Sequence, residues 1–305
     1  MNVEIILFKN IRETEINRIN ELAKNSSVYD QPWYLSLLNN NKVAVFIYGD
    51  FHTVLLVPYK EKWGIRYAVM PHFVQKLNFL GADFGKERIL HALVNFFKYG
   101  QISFHLENVI QSNSELFDSI KKRTNYILQL NSDYTVLRKK YGSNHKRNCS
   151  KLNNISIKRV ESANDLIEIF EKEKKSNFTS KQLSSINQSI RKIVKNADVK
   201  NSVNLIGAFQ NDKNIANALF LEFNERIYYI LGSSIKLNVN FSDKGLFAIF
   251  DWLICTYSNT LKTIDFEGSD IPGVARFFKG FGSEMENYYS VKWNRLPFPL
   301  NLIKR

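Results

Sequence analysis

The chain has 305 residues, more than one compact domain usually holds and enough for two of roughly 100 to 200 residues each. Its hydrophobic fraction of 44%, with 23 Phe and 14 Tyr, supplies ordinary folded cores and excludes a disordered chain. A formal net charge of +13 favours a polyanionic partner such as RNA, a nucleotide-linked substrate or an acidic surface, although lysines solvated over the whole surface give the same sum. Residues 1–10 include Glu4 and place no basic stretch ahead of a long apolar core, which predicts no secretory signal. No apolar run approaches the roughly 18 residues that a membrane-spanning helix needs. Cys149 and Cys255 have neither metal-ligand nor disulfide-framework spacing and the histidines are scattered, so the expectation is a cytoplasmic protein without a metal.

Ile11, Ile16, Ile19, Leu22 and Ala23 fall near one helical face and predict a surface helix over 11–24. Pro32 opens a second helix. Val43–Tyr48 and Thr53–Tyr59 are β-rich runs about Gly49-Asp50 and predict a hairpin. A strand over 65–70, a helix over 87–98 and strands over 102–106 and 126–130 complete a first domain, residues 1–132. A polar helix over 133–148 follows. It overlaps a run from Arg138 to Arg159 that holds eight Lys or Arg and no Asp or Glu, the predicted junction between domains. Next come a strand over 155–160, helices over 163–175 and 180–195, and three antiparallel strands over 203–209, 215–223 and 226–231, joined by turns at Asn211-Asp212-Lys213-Asn214 and Asn224-Glu225. A helix over 242–257 capped by Ser242, a strand over 263–266 and a short helix after Pro272 finish the second domain, residues 133–305. Its stretch 291–305 is expected to return and pack on the first.

Chemistry concentrates in residues 265–282. There Asp265, Glu267 and Asp270 precede a helix start at Pro272, the cations Arg276 and Lys279, and a Gly280-Phe281-Gly282 exit. Asp265 and Glu267, two apart on the predicted strand, share one face and can converge on a cleft; equally, they can cap the following helix or pair with Arg276. The helix beginning near Ser242-Asp243-Lys244-Gly245 offers backbone N–H groups to an anion, or is an ordinary capped helix packed through Leu246 and Phe250. Lys146 and Arg147 in the basic run can hold phosphates or form a solvated face.

The strand ending in Asp265-Phe266-Glu267-Gly268, the helix after it and the Phe278-Lys279-Gly280-Phe281-Gly282 exit resemble the element that closes the second domain of the FemAB-like acyltransferases. Gln31-Pro32-Trp33-Tyr34-Leu35 is similar to that family's early Ser-x-Pro-Trp-Trp-Leu, and residues 126–154 resemble the strand and basic helix leading into its second domain. The order helix, helix, three antiparallel strands, helix, strand, helix, strand resembles the GNAT acyltransferase fold, and the first half repeats a looser version. The resemblance implies an α/β (α+β) protein of tandem GNAT-like domains, each a mixed, largely antiparallel sheet flanked by helices. It also implies transfer of an acyl or aminoacyl group, from acyl-CoA or aminoacyl-tRNA, to a small-molecule or cell-wall/glycan-linked amine. In that scheme Glu267 or Glu222, with Asp265 as a further candidate, is the base, and the strand backbone near Tyr229 is the oxyanion donor. Arg276 and Lys279 anchor an anionic donor or acceptor, while Ser242, Lys244, Gly245, Lys146, Arg147 and Trp33 are the remaining binding candidates. The chain departs from the family in carrying Phe247 at the second small position of the pyrophosphate loop. It also has Phe278 where tRNA-dependent members have a lysine, with Lys279 one residue late and so turned by about 100°. The competing expectation is a non-catalytic protein of the same fold that binds RNA or an anionic glycan through its basic junction. An enzyme predicts a cleft lined by Glu222, Tyr229 and Glu267; the binding protein predicts a cleft plugged by Phe247 or Phe278.

Overall fold

The computed structural model describes residues 2–152, 154–196, 202–235, 244–268 and 270–303. The chain divides into two compact units, Met1–Arg123 with Asn287–Arg305, and Thr124–Glu286. In the first unit the elements are β1 (Val3–Leu7), α1 (Glu13–Ala23), α2 (Pro32–Asn39), β2 (Val43–Tyr48), β3 (Thr53–Lys62), β4 (Ile65–Val69), β5 (Leu80–Gly81), α3 (Lys86–Phe96), β6 (Tyr99–Phe104) and α4 (Glu107–Ser112). Strand order runs β1-β2-β3-β4-β6, with β5 beside β3, and every pair is antiparallel except β4 with β6. The predicted helical face of α1 is the one that packs, with Ile19 and Ala23 fully buried. Strand β1 was not expected from the sequence. Its pattern of half-buried residues is weak, and its place is fixed by pairing with β2 from Val3↔Tyr48 to Leu7↔Ala44. Asp30 is buried and held by the hydroxyls of Ser26 and Ser27 and by the backbone and side-chain N–H groups of Asn78, at 2.6–2.9 Å. Burial pushes its carboxyl above the usual range despite those donors.

The second unit begins within β7 (Ser119–Gln129) and continues through α5 (Tyr134–Lys139), α6 (Ser143–Cys149), β8 (Ile155–Arg159), α7 (Asn164–Lys174), α8 (Ser180–Lys195), β9 (Val203–Gln210), β10 (Lys213–Phe223), β11 (Arg226–Ser234), α9 (Lys244–Tyr257), β12 (Thr263–Asp265) and α10 (Pro272–Lys279). Its order is β7-β12-β11-β10-β9-β8, antiparallel except β11 with β12. Strand β13 (Glu284–Asn294) carries the chain back into the first unit, where it pairs with β6, and α11 (Leu300–Ile303) follows. The mixed, largely antiparallel, helix-flanked sheets are those expected. Asn211 and Asp212, both at positive φ, form the two-residue turn between β9 and β10, a conformation Asn and Asp tolerate better than most residues.

The predicted helix over 133–148 breaks in two. Tyr141 is buried with its hydroxyl donating to Asp251 of α9 at 3.1 Å, and the Gly142 N–H donates to the Gly280 carbonyl at 2.9 Å. Both bonds are long-range and cannot be read from helical periodicity. The core of this unit is aromatic. Phe250 of α9 lies 5.7 Å from Phe220, 5.0 Å from Tyr229 and 5.2 Å from Phe266, ring centre to ring centre.

Candidate active site

Strands β11 and β12 pair over only three positions, Arg226↔Thr263, Ile227↔Ile264 and Tyr228↔Asp265. Beyond Tyr228 they part, because β12 ends at Asp265 whereas β11 runs on to Ser234. At the same level β11 carries a bulge. Leu219 faces Leu231 and Phe220 faces Tyr229, so Ile230 sits outside the register with β10. A bulge bends its strand and takes backbone groups out of the ladder, and Ile230 is among the residues that line the opening. The opening is a cleft of about 570 Å³, lined among others by Tyr229, Ile230, Phe247, Glu267, Arg276 and Phe278.

Glu267 does not continue β12, so it does not share a strand face with Asp265 as the spacing predicts. Its φ is +63°, in the left-handed region, and its N–H donates to Asp265 Oδ1 at 2.9 Å. The Asp side chain thus closes a turn onto the backbone two residues later and ends the strand. Gly268 follows at φ +61°, and a Cβ there would lie 2.3 Å from the Thr124 carbonyl oxygen, so only glycine fits. A left-handed glutamate costs on the order of 1–3 kcal/mol, a strain that concentrates where function requires it. Glu267 as a residue is half-buried, but one of its carboxyl oxygens has no solvent contact. Burial raises its pKa well above the usual carboxyl range.

Asp265 is fully buried and lies outside the cleft lining. Its Oδ2 is 2.8 Å from Arg226 Nε, and its Oδ1 accepts from Asn125 Nδ2 at 2.9 Å in addition to the Glu267 N–H. Arg226 also donates to Glu286 at 3.0 Å, and Asn125 reaches the same oxygen at 3.2 Å. The partner of Asp265 is therefore Arg226, in place of the anticipated Arg276. Glu222 is also away from the cleft, paired with Lys262 and accepting from the Tyr257 hydroxyl at 3.3 Å.

Of the other sequence candidates, Tyr229 lines the cleft, with its ring 5.8 Å from Phe278. Arg276 lines it from an exposed position on α10. Phe278 is buried in its lining, whereas Lys279, one residue on, is exposed and outside it, the separation that helical rotation requires. Lys244 and Gly245 form the first turn of α9; a Cβ at Gly245 would come within 2.5 Å of the Ala216 Cβ, so close helix-to-sheet packing accounts for that glycine. Ser242 lies outside the described residues. Lys146 and Arg147 are exposed on α6, Arg147 donating to Asn144 Oδ1 at 2.8 Å. Trp33 belongs to the first unit, edge-on to Tyr34 at 5.4 Å.

No family model matches the sequence, and no curated protein matches it at a significant level. Among solved structures, FemX superposes with a TM-score of 0.64 over 99% of this chain and 99% of its own, at 11% identity. The chain has the FemX fold. A conserved protein of unknown function from Bacteroides thetaiotaomicron gives a TM-score of 0.60 at 11% identity, covering 94% of this chain and 99% of its own. L-PGS from Bacillus licheniformis gives 0.55 at 8% identity, covering 96% and 95%. The FemX fold therefore extends over the whole chain, as the FemAB-like, GNAT-type resemblance of three short segments implied. No described helix is long and apolar enough to cross a membrane.

Within this FemX-like framework, sequence reasoning missed several residues of the cleft, among them the ionisable His145, Lys174 and Glu173. Lys174 sits on α7, partly exposed and 2.7 Å from Glu173. His145 is buried among Phe247, Phe277 and Phe281, and burial lowers its pKa. Its Nε2 is 2.8 Å from the Phe277 carbonyl, which can only accept, so Nε2 carries the proton and donates. The imidazole lies against Gly280, where a Cβ would fall 1.9 Å from the ring. Gly280→Ala is expected to cost about 1–3 kcal/mol in urea unfolding by overpacking. Most of that cost should vanish in a His145→Ala background; strictly additive effects would contradict the contact.

Proposed function

We propose that this protein transfers an acyl or aminoacyl group from an activated donor to an amine, the donor carbonyl lying where β11 and β12 part. The observation that carries this reading is the carboxyl of Glu267, turned out of its strand into a cleft beside the register break at Ile230. A carboxylate whose pKa is raised by burial is a stronger base, suited to take a proton from an ammonium group. The freed amine nitrogen attacks the carbonyl carbon. The C–N bond forms, the bond to the leaving sulfur or oxygen breaks, and the leaving group departs with a proton. Backbone N–H groups of β11 around the bulge support the oxyanion. Arg276 and Lys174 supply positive charge for a donor whose leaving portion is phosphorylated, a property acyl-CoA and aminoacyl-tRNA share.

The cleft retains open volume although Phe247 and Phe278 stand in its lining, which favours an enzyme over a plugged binding protein. The test is to incubate the purified protein with acyl-CoA and, separately, with a charged tRNA mixture, against a panel of small-molecule and glycan-linked amines, and to look for amide products by mass spectrometry. Product from one donor, lost in Glu267→Gln, supports the reading. Absence of product from both donors, or product indifferent to Glu267→Gln, rejects it.

A further inference from the structure

We infer that the acyl group this cleft accepts is bulky and apolar, an inference that rests on the acyl-transfer reading above. The cleft is polarised along its depth. Its most deeply buried lining comes from Phe266, Phe278 and Phe247, at 0%, 3% and 4% exposure, with Tyr229 beside them. Two ionisable groups reach this apolar zone, and burial favours the neutral form of both. Glu267 is pushed toward the protonated acid and His145 toward the uncharged imidazole. The other charged groups of the lining, Arg276 and the Lys174–Glu173 ion pair, occupy its more exposed part, with one net positive charge between them. A ligand that complements this arrangement carries its anionic portion against the cations and its apolar portion among the rings. A one-carbon or two-carbon side group would leave the partly exposed Tyr229, Leu246 and Phe277, which stand in front of those buried rings in a 570 Å³ cleft, facing water, whereas a branched, aromatic or several-carbon chain would cover them. Two sources share that chemistry: a straight-chain fatty acyl group and the side chain of a large apolar amino acid.

The experiment uses uncleavable carbonyl probes on the full-length protein. Straight-chain amides from acetamide to octanamide form one arm and alaninamide, leucinamide and phenylalaninamide the other, each titrated by NMR. About 0.8 kcal/mol per buried methylene corresponds to roughly fourfold tighter binding for each added carbon until the cleft is filled. A steep series in the first arm identifies a fatty acyl group, and at least tenfold preference for phenylalaninamide over alaninamide identifies a large aminoacyl group. Val274→Asp, at a lining position 37% exposed and therefore tolerant of substitution, should flatten the dependence while leaving thermal unfolding unchanged. A flat series in both arms overturns the inference, as does a slope unchanged by Val274→Asp. The two failures can be told apart. Transfer that proceeds best with the smallest acyl group removes the size preference and keeps the catalytic reading, while steep binding without transfer from any donor keeps the apolar cleft and removes the reaction.

Discussion

Glu267→Gln is expected to lower the rate of acyl transfer by about 10²–10⁴-fold, the range over which a positioned general base contributes. The substitution keeps the side chain's size and its left-handed backbone and removes only the ability to accept the proton. Two pH dependences accompany it. In the wild type, kcat/KM should rise with pH as Glu267 gives up its proton, with a midpoint well above the usual carboxyl range, and the variant should lack that limb. Stability should move the opposite way. Below the ordinary carboxyl pKa, Glu267 is protonated in both folded and unfolded chains. Above it the unfolded chain releases its proton while the folded chain retains it, so the folded state is progressively disfavoured as pH rises, until the raised folded pKa is passed. Glu267→Gln should abolish that decline in thermal melts taken across the window. A variant with wild-type rate and an unchanged slope of stability against pH would remove Glu267 from both roles.

Arg226→Ala is expected to be the most damaging single change outside the apolar core, because it leaves the fully buried Asp265 and the neighbouring Glu286 without their common cation. Breaking one side of a buried pair typically costs about 3–5 kcal/mol, which at about 2–4 °C per kcal/mol for a unit of this size is a fall in Tm on the order of 6–20 °C. The consequence reaches the cleft. Asp265 Oδ1 holds the N–H of Glu267, so an Asp265 displaced from its place releases the turn that positions the glutamate. Asp265→Asn offers the contrast. It keeps an oxygen for that N–H while removing the charge that Arg226 neutralises, so it should retain more activity than Arg226→Ala at equal loss of stability. If Arg226→Ala melts within about 2 °C of wild type, the network is solvated and the inference about Asp265 fails.

The residues that announced the fold were those whose signals are local. Pro32 and Pro272 each sit in the first turn of the helix they were expected to open, and the Asn211-Asp212 and Asn224-Glu225 turns join strands as predicted. From residues 265–282, Glu267, Arg276 and Phe278 all line the cleft, so the segment singled out by its mixture of charges is one of those that bound it. What sequence could not supply was direction. Asp265 and Glu267 have strand spacing, but the long-range pairing of Asp265 with Arg226 and Asn125 ends the strand and sends the two carboxyls apart. Glu222 is equally plausible by position on β10, yet Lys262 and Tyr257 engage it elsewhere. His145 was masked by the basic run around it. Its meaning depends on Gly280, and nothing in either segment alone shows that a ring lies on that glycine.

The path of the chain through its two units sets an order of assembly. The first unit places β13 beside β6, pairing Tyr289–Asn294 with Tyr99–Phe104, so its sheet has to wait for residues that leave the ribosome after every residue of the second unit. The second unit ends at Glu286, and its two ends meet where Asn125 bonds that residue. On a nascent chain, the part that holds the cleft is complete while the unit begun first still lacks a strand.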